Sequence, residues 1–265
     1  PGVEGRQEGK EREATLGERY LATLCRKSFF TFWSYPQLYT SQGLNERGEG
    51  RELADLVVVF DDNVLIFSDK DCAFPRSGNL QVDWCRWFKR AIWKSAAQIH
   101  GAERWLRSYP DRVFVDRRCT KPFPLSIPHP DQARYHRIVV AHSISPLVAE
   151  HFGESGSLVL IPAIQGTAHF HDPAKAMPFV VGDLDPAKGY VHVFDDYSLD
   201  VVMRSENTIT DFVQYLEKKE RLVRSNRLLS ANGEEELLAI YRKYMNAQDE
   251  HDFAVPGSEG ASLVV

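Results

Sequence analysis

No apolar run in this chain approaches the ~18 residues of a membrane-crossing helix, so no membrane span is expected. The opening residues, Pro-Gly-Val-Glu-Gly-Arg-Gln-Glu-Gly-Lys, lack the apolar middle of a signal peptide, and a cytoplasmic location is the expectation. Cysteine is scarce: Cys25, Cys72, Cys85 and Cys119 are scattered without a C-x-x-C pair. That spacing speaks against a disulfide framework or a cysteine zinc site and for reduced, small core residues. There is no internal repeat and no glycine-rich nucleotide motif, and His142-Ser143 lacks the G-x-S-x-G elbow of serine hydrolases. Positive charge is not in excess either. With a formal net charge of −5, bulk electrostatics do not make the chain a polyanion binder, and any nucleic-acid surface must be local.

The 265 residues suffice for one large domain or two smaller ones. Residues 1–13 read as a disordered leader and 251–265 as a flexible tail. The missing initiator Met and the Gly, Ser and Ala-rich stretch after Pro256 suggest trimmed or engineered termini, or a fragment. Between them, 16–33 carries apolar residues at helical spacing, Pro36 ends that helix, and 39–50 is a polar loop. Residues 82–109 hold the strongest helical pattern, through Trp84, Phe88, Ala91, Ile92, Ile99, Ala102 and Leu106. A returning strand is predicted at 113–116, and the Pro-rich segment 122–130 is the candidate linker. Strands are predicted at 137–141, 158–161, 179–181, 191–194 and 199–203, with a short helix at 146–152. Further helices are expected after Thr208 or Thr210 and over 234–246.

The stretch 52–71 organises the rest. Two apolar, β-branched runs, 53–60 and 64–67, flank Asp61-Asp62-Asn63, which reads as a hairpin turn. Folding back brings Asp55 close to Ser68, Asp69 and Lys70. With Asp61 opposite Val64, Asp55 faces Lys70 and shares a sheet face with Ser68; with a three-residue loop it faces Asp69. In either case a carboxylate stands beside polar groups at the tip of strands apolar on both faces, where it needs a partner, a metal or water.

The order helix, hairpin, long helix, returning strand, with Asp55 and then Ser68-x-Lys70, resembles the PD-(D/E)XK superfamily of restriction-endonuclease-like nucleases over 16–116. The resemblance implies an α/β fold, a mixed sheet flanked by helices, in a core over 14–121, with a C-terminal α+β extension over 131–250 packing on it. It also implies a Mg2+ or Mn2+ site with Asp55 as ligand, Lys70 orienting the attacking water and Glu18 assisting. Ser68 stands where the family has an acid. Some restriction enzymes of the superfamily share a Ser-x-Lys form and draw the missing carboxylate from the following helix, which makes Asp83 a candidate. Asp69 is its rival if the register shifts or a bulge intervenes. Glu52 is a further candidate, and Gln98 resembles the helix Gln of some members.

Substrate phosphates would be met by Arg86, Lys89, Arg90 and Lys94 on the long helix and by Arg117, Arg118 and Lys121 after the predicted strand. A solvated helix face is the ordinary account of such a run. Most of the five tryptophans read as core. His169-Phe-His171 lacks a third placed ligand, so an ordinary loop is the simpler reading than a metal site. The expectation is therefore a metal-dependent endonuclease acting on DNA, with a role in restriction or antiviral defence and a homodimer or larger defence complex as its setting. The alternative is a catalytically inactive nuclease-fold module that binds nucleic acid or protein.

Overall fold

The computed structural model describes residues 20, 33–44, 48–153, 156–253 and 263–265. The helix expected over 16–33 and its Glu18 lie outside the described residues, apart from Tyr20, which is helical, and Trp33, which lies in a turn. The chain forms an α/β structure with a mixed six-stranded sheet flanked by helices.

Strands β1 (Ser34–Thr40), β2 (Arg51–Phe60) and β3 (Asn63–Asp71) form an antiparallel meander. Strand β4 (Val113–Phe114) pairs with β1 at the outer edge. On the other side β5 (Arg134–His142) lies parallel to β3, and β8 (Val191–Asp195) parallel to β5. The 131–250 stretch, expected as an extension, thus supplies two strands of the main sheet. Strands β2, β3 and β5 are buried along nearly their whole length, as their unbroken apolar runs require when both faces are covered.

Helical residues cover 80–108 in three pieces: α1 (Leu80–Phe88), a π-helical turn at Lys89–Trp93, and α2 (Lys94–Ser108). Asn79 caps α1 by accepting from the Val82 amide. Trp84 and Trp87 are buried in the core, while Trp33, Trp93 and Trp105 pack against it partly covered. After β5 come α3 (Ser145–Phe152), β6 (Val159–Gln165) and β7 (Val180–Asp183), the last two paired in a separate parallel ribbon. Helices α4 (Asp196–Ser205), α5 (Ile209–Arg224) and α6 (Glu234–Lys243) follow, with β9 (Leu228–Ser230) between the last two. The final strand β10 (Leu263–Val264), within the stretch expected as a flexible tail, pairs with β9.

Two expectations are corrected. Residues 199–203 are helical, not a strand: Leu199, Val202 and Met203 are buried at spacings of three and four, and a capping box between Asp195 and Ser198 starts the helix. The hairpin register differs from both alternatives, because Phe60 pairs with Asn63 across a two-residue Asp61-Asp62 turn. Asn63 is drawn into β3 because its buried amide oxygen accepts from His136 Nε2 at 3.0 Å.

One buried ion pair ties α2 to the sheet. Arg137 of β5 donates from Nε and Nη2 to the two carboxylate oxygens of Glu103, both at 2.6 Å. Among the described residues, no helix is long and apolar enough to cross a membrane.

Candidate functional site at the carboxyl edge of the sheet

Strands β3, β5 and β8 run parallel and end together at Asp69-Lys70-Asp71, Ala141-His142 and Asp195. In open α/β sheets, ligands bind outside such carboxyl ends. Strand β2 runs the opposite way, so its early residue Asp55 arrives at the same edge.

Pleating sorts these side chains by face. Arg137 reaches Glu103 on α2, so alternate residues 137, 139 and 141 of β5 face that helix. Ser68 pairs with Val139 and Lys70 with Ala141, which turns both toward the helix side. Continuing the β2–β3 register one step from Leu56↔Phe67 sets Asp55 beside Ser68, on the same face. Asp69, Asp71 and His142 point the other way.

The two faces are linked through the backbone. The Asp69 amide donates to Asp55 Oδ2 at 2.7 Å, which fixes the carboxylate where the ladder gives out. Asp55 is half-buried, and so is Lys70, whose ammonium makes no hydrogen bond or ion pair among the described residues. Ser68 is fully buried, and its hydroxyl has no hydrogen-bond partner among the described residues.

On the far face, His142 Nε2 donates to Asp69 Oδ2 at 2.8 Å. The Tyr20 ring meets the His142 ring edge-on at 4.9 Å, and the Tyr20 hydroxyl donates to Asp200 of α4 at 3.0 Å. Burial pushes the Asp69 carboxyl above its ordinary value. The His142 hydrogen bond and charge pull against that shift, and the nearby Asp55 charge adds to it.

The other expected ligands are dispersed. Asp83, buried in the first turn of α1, accepts from the Ser77 amide and hydroxyl, both at 2.7 Å, and so holds the preceding loop. Glu52 lines a separate cavity with Gln98. Among the described residues, no group of three or more His, Cys, Asp or Glu side chains is arranged to hold a metal ion.

Arg86, Lys89, Arg90 and Lys94 are exposed along the α1–α2 segment. Arg90 donates to the Ala73 carbonyl at 3.2 Å, and the Lys89 ammonium stands 5.8 Å from the Phe170 ring centroid. Arg117, Arg118 and Lys121 are exposed beyond β4, and Arg117 pairs with Glu49 at 3.6 Å. His169 is a core residue: Nδ1 donates to the Gly166 carbonyl, Nε2 accepts from the Gly182 amide, and the ring stacks on Phe88 at 4.6 Å. Burial lowers its basicity.

Reading the sequence alone did not put His142 into the site. The available signal was the apolar run 138–141 closed by a histidine, a strand end that gains meaning once β5 is known to lie beside β3. No known protein family, no curated protein and no solved structure matches the chain.

Proposed function

We propose that the chain is a divalent-metal-dependent nuclease of the PD-(D/E)XK type, hydrolysing phosphodiester bonds of DNA. The observation that carries this reading is the placement of Asp55, Ser68 and Lys70 on one face at the carboxyl edge of the sheet. The order hairpin, long helix, returning strand supports it, with β5 rather than β4 as the strand that returns beside the hairpin.

The donor set meets the lower limit for a hard cation. Mg2+ is commonly held by one or two protein carboxylates, with water and substrate oxygens completing the shell. Asp55 supplies one, and the Ser68 hydroxyl beside it is a buried polar atom without a hydrogen-bond partner among the described residues. A cation held there would polarise the phosphate and lower the pKa of the attacking water. Lys70, whose ammonium makes no hydrogen bond or ion pair among the described residues, would hold and orient that water and offset developing negative charge. The Asp69 amide keeps the Asp55 carboxylate pointed at this spot. A role against foreign DNA follows from the family analogy alone.

A second reading, an inactive nuclease-fold module, is favoured by one observation: Asp69 and Asp83, the two candidates for the second carboxylate, are engaged by His142 and Ser77. The same experiment decides between them. Mg2+ and Mn2+ are titrated into the protein and its Asp55→Ala variant, and both are incubated with linear, circular and single-stranded DNA. Metal binding and cleavage that disappear together in the variant support the nuclease. Cleavage unchanged in Asp55→Ala removes the assignment, and DNA binding without Asp55-dependent metal uptake supports the inactive module.

A further inference from the structure

A cavity of about 730 Å3 lies between the start of β2 and the outer turns of α2. Its size falls within the range of small-molecule sites, and neither Asp55 nor Lys70 lines it. Three guanidinium groups, Arg51, Arg104 and Arg112, stand against the single carboxylate of Glu52 around it, in a chain whose net charge is −5. The Arg51 and Arg104 side chains are exposed and make no hydrogen bond or ion pair among the described residues. Arg112 is fixed: Nε donates to Ser41 Oγ at 2.9 Å, and its guanidinium lies 5.6 Å from the Trp105 ring and 5.7 Å from that of Tyr109. Those two rings sit 4.7 Å apart on the cavity wall, with Tyr109 47% exposed and able to stack on a ligand.

We propose that this cavity binds a nucleotide, with the phosphate taken by Arg51 and Arg104 and the base stacked on the Trp105–Tyr109 pair. Free guanidinium forks match phosphate oxygens in pairs, and an exposed aromatic face accepts any base. A lone inorganic anion would leave the aromatic wall unused. The ligand is either a free nucleotide or one nucleotide of a strand, and only the second form rests on the nuclease reading. Glu52 lies three residues from Asp55, about 10 Å along an extended strand, so a chain cut at Asp55 would pass this cavity.

Gly101 supplies a clean way to block the site. It lines the cavity within α2, and a Cβ there meets nothing within 4 Å, so Gly101→Met fills the space without a clash. Inorganic phosphate, dAMP and a ten-nucleotide single-stranded DNA are titrated calorimetrically into the full chain in EDTA, into Gly101→Met, and into the Arg51→Gln/Arg104→Gln double variant. The expected result is dAMP binding about tenfold or more tighter than phosphate, and weakened about tenfold or more in both variants. Equal affinity for dAMP and oligonucleotide assigns a free nucleotide; tighter oligonucleotide binding with the same dependence on both variants assigns a strand. Absence of binding by both dAMP and oligonucleotide, or binding unchanged in both variants, overturns the proposal. Asp55-dependent cleavage without nucleotide binding sinks this inference alone, and nucleotide binding without such cleavage sinks the nuclease reading alone.

Discussion

Two polar groups on the helix-facing side of the sheet are treated in opposite ways. In the middle, Arg137 and Glu103 are buried and each is answered: two bonds of 2.6 Å join them, Arg137 Nη1 donates to the Tyr135 carbonyl at 2.9 Å, and Arg107 adds a bond to Glu103 at 3.0 Å. Gly189 makes room for the guanidinium, since a Cβ there would lie 2.0 Å from Arg137 Cζ. At the carboxyl edge, among the described residues, Asp55 is held by one amide, the Ser68 hydroxyl has no partner, and Lys70 has no hydrogen bond or ion pair. Where a charge lies deep, the fold commits partners to it, because an unpaired buried ion is costly. At the edge, polar groups keep unspent capacity, which is what a site for an outside ligand requires.

The largest expected effect tests the middle of the sheet. Arg137→Met leaves Glu103 buried without its bidentate partner and is expected to cost about 3–5 kcal/mol. Asp55→Asn keeps an acceptor for the Asp69 amide and should change stability by less than about 1 kcal/mol while removing the metal-binding charge. Urea unfolding of the two variants measures both. Comparable losses in the two would erase the distinction between a structural and an uncommitted polar group.

Acid titration of stability comes next, and here the two carboxylates have opposite signs. Burial works to raise the Glu103 carboxyl, but hydrogen bonds from His100, Arg137 and Arg107 and the Arg137 charge bring it down to about 2. A folded value below the unfolded 4.5 means that its contribution is present above that pH and is lost as pH falls from 4.5 toward 2. Asp69 is shifted upward, chiefly by burial. Its contribution is present below the unfolded value of 3.8 and is lost as pH rises through its folded value. Melting temperature against pH should therefore show Glu103→Gln flattening the acid limb, and Asp69→Asn gaining on the parent protein as pH rises. A shared direction in the two variants would mean that the His142 bond and charge outweigh burial at Asp69.

Much of this architecture was legible beforehand. The two runs of the hairpin and the helical stripe of 82–109 are patterns that local chemistry and burial impose together, and both folded as read apart from the π-helical turn. Register was not legible, because Asn63 belongs to the turn by composition and to the strand through pairing with Phe60 and Arg134 and a bond to His136, a residue 73 positions away. The 199–203 run, predicted as a strand, has a buried spacing of three and four that is helical. At the site, Asp55, Ser68 and Lys70 could be named from the hairpin alone. The bond from His142 to Asp69, and the Tyr20 ring packed on His142, depend on strands and helices meeting across long sequence separations. Asp83 stood at a plausible position by spacing, but the nearest donors, in Ser77, claim it.

The smallest expected effect bears most directly on the edge. Ser68 is fully buried, and its hydroxyl has no hydrogen-bond partner among the described residues, which costs about 1–3 kcal/mol for an unsatisfied polar group. Replacing it by Ala removes the hydroxyl and leaves a gap of one oxygen, so the metal-free protein should unfold at equal or slightly higher urea concentration. If Ser68 instead serves a bound cation or its water, the same substitution lowers Mn2+ affinity measured by calorimetry. Raised or unchanged metal-free stability together with weakened metal binding would mark Ser68 as a group kept for a ligand at the expense of the fold. Reduced stability with unchanged metal binding would make Ser68 an ordinary packing residue, and the contrast between the two polar groups would then rest on Asp55 and Lys70 alone.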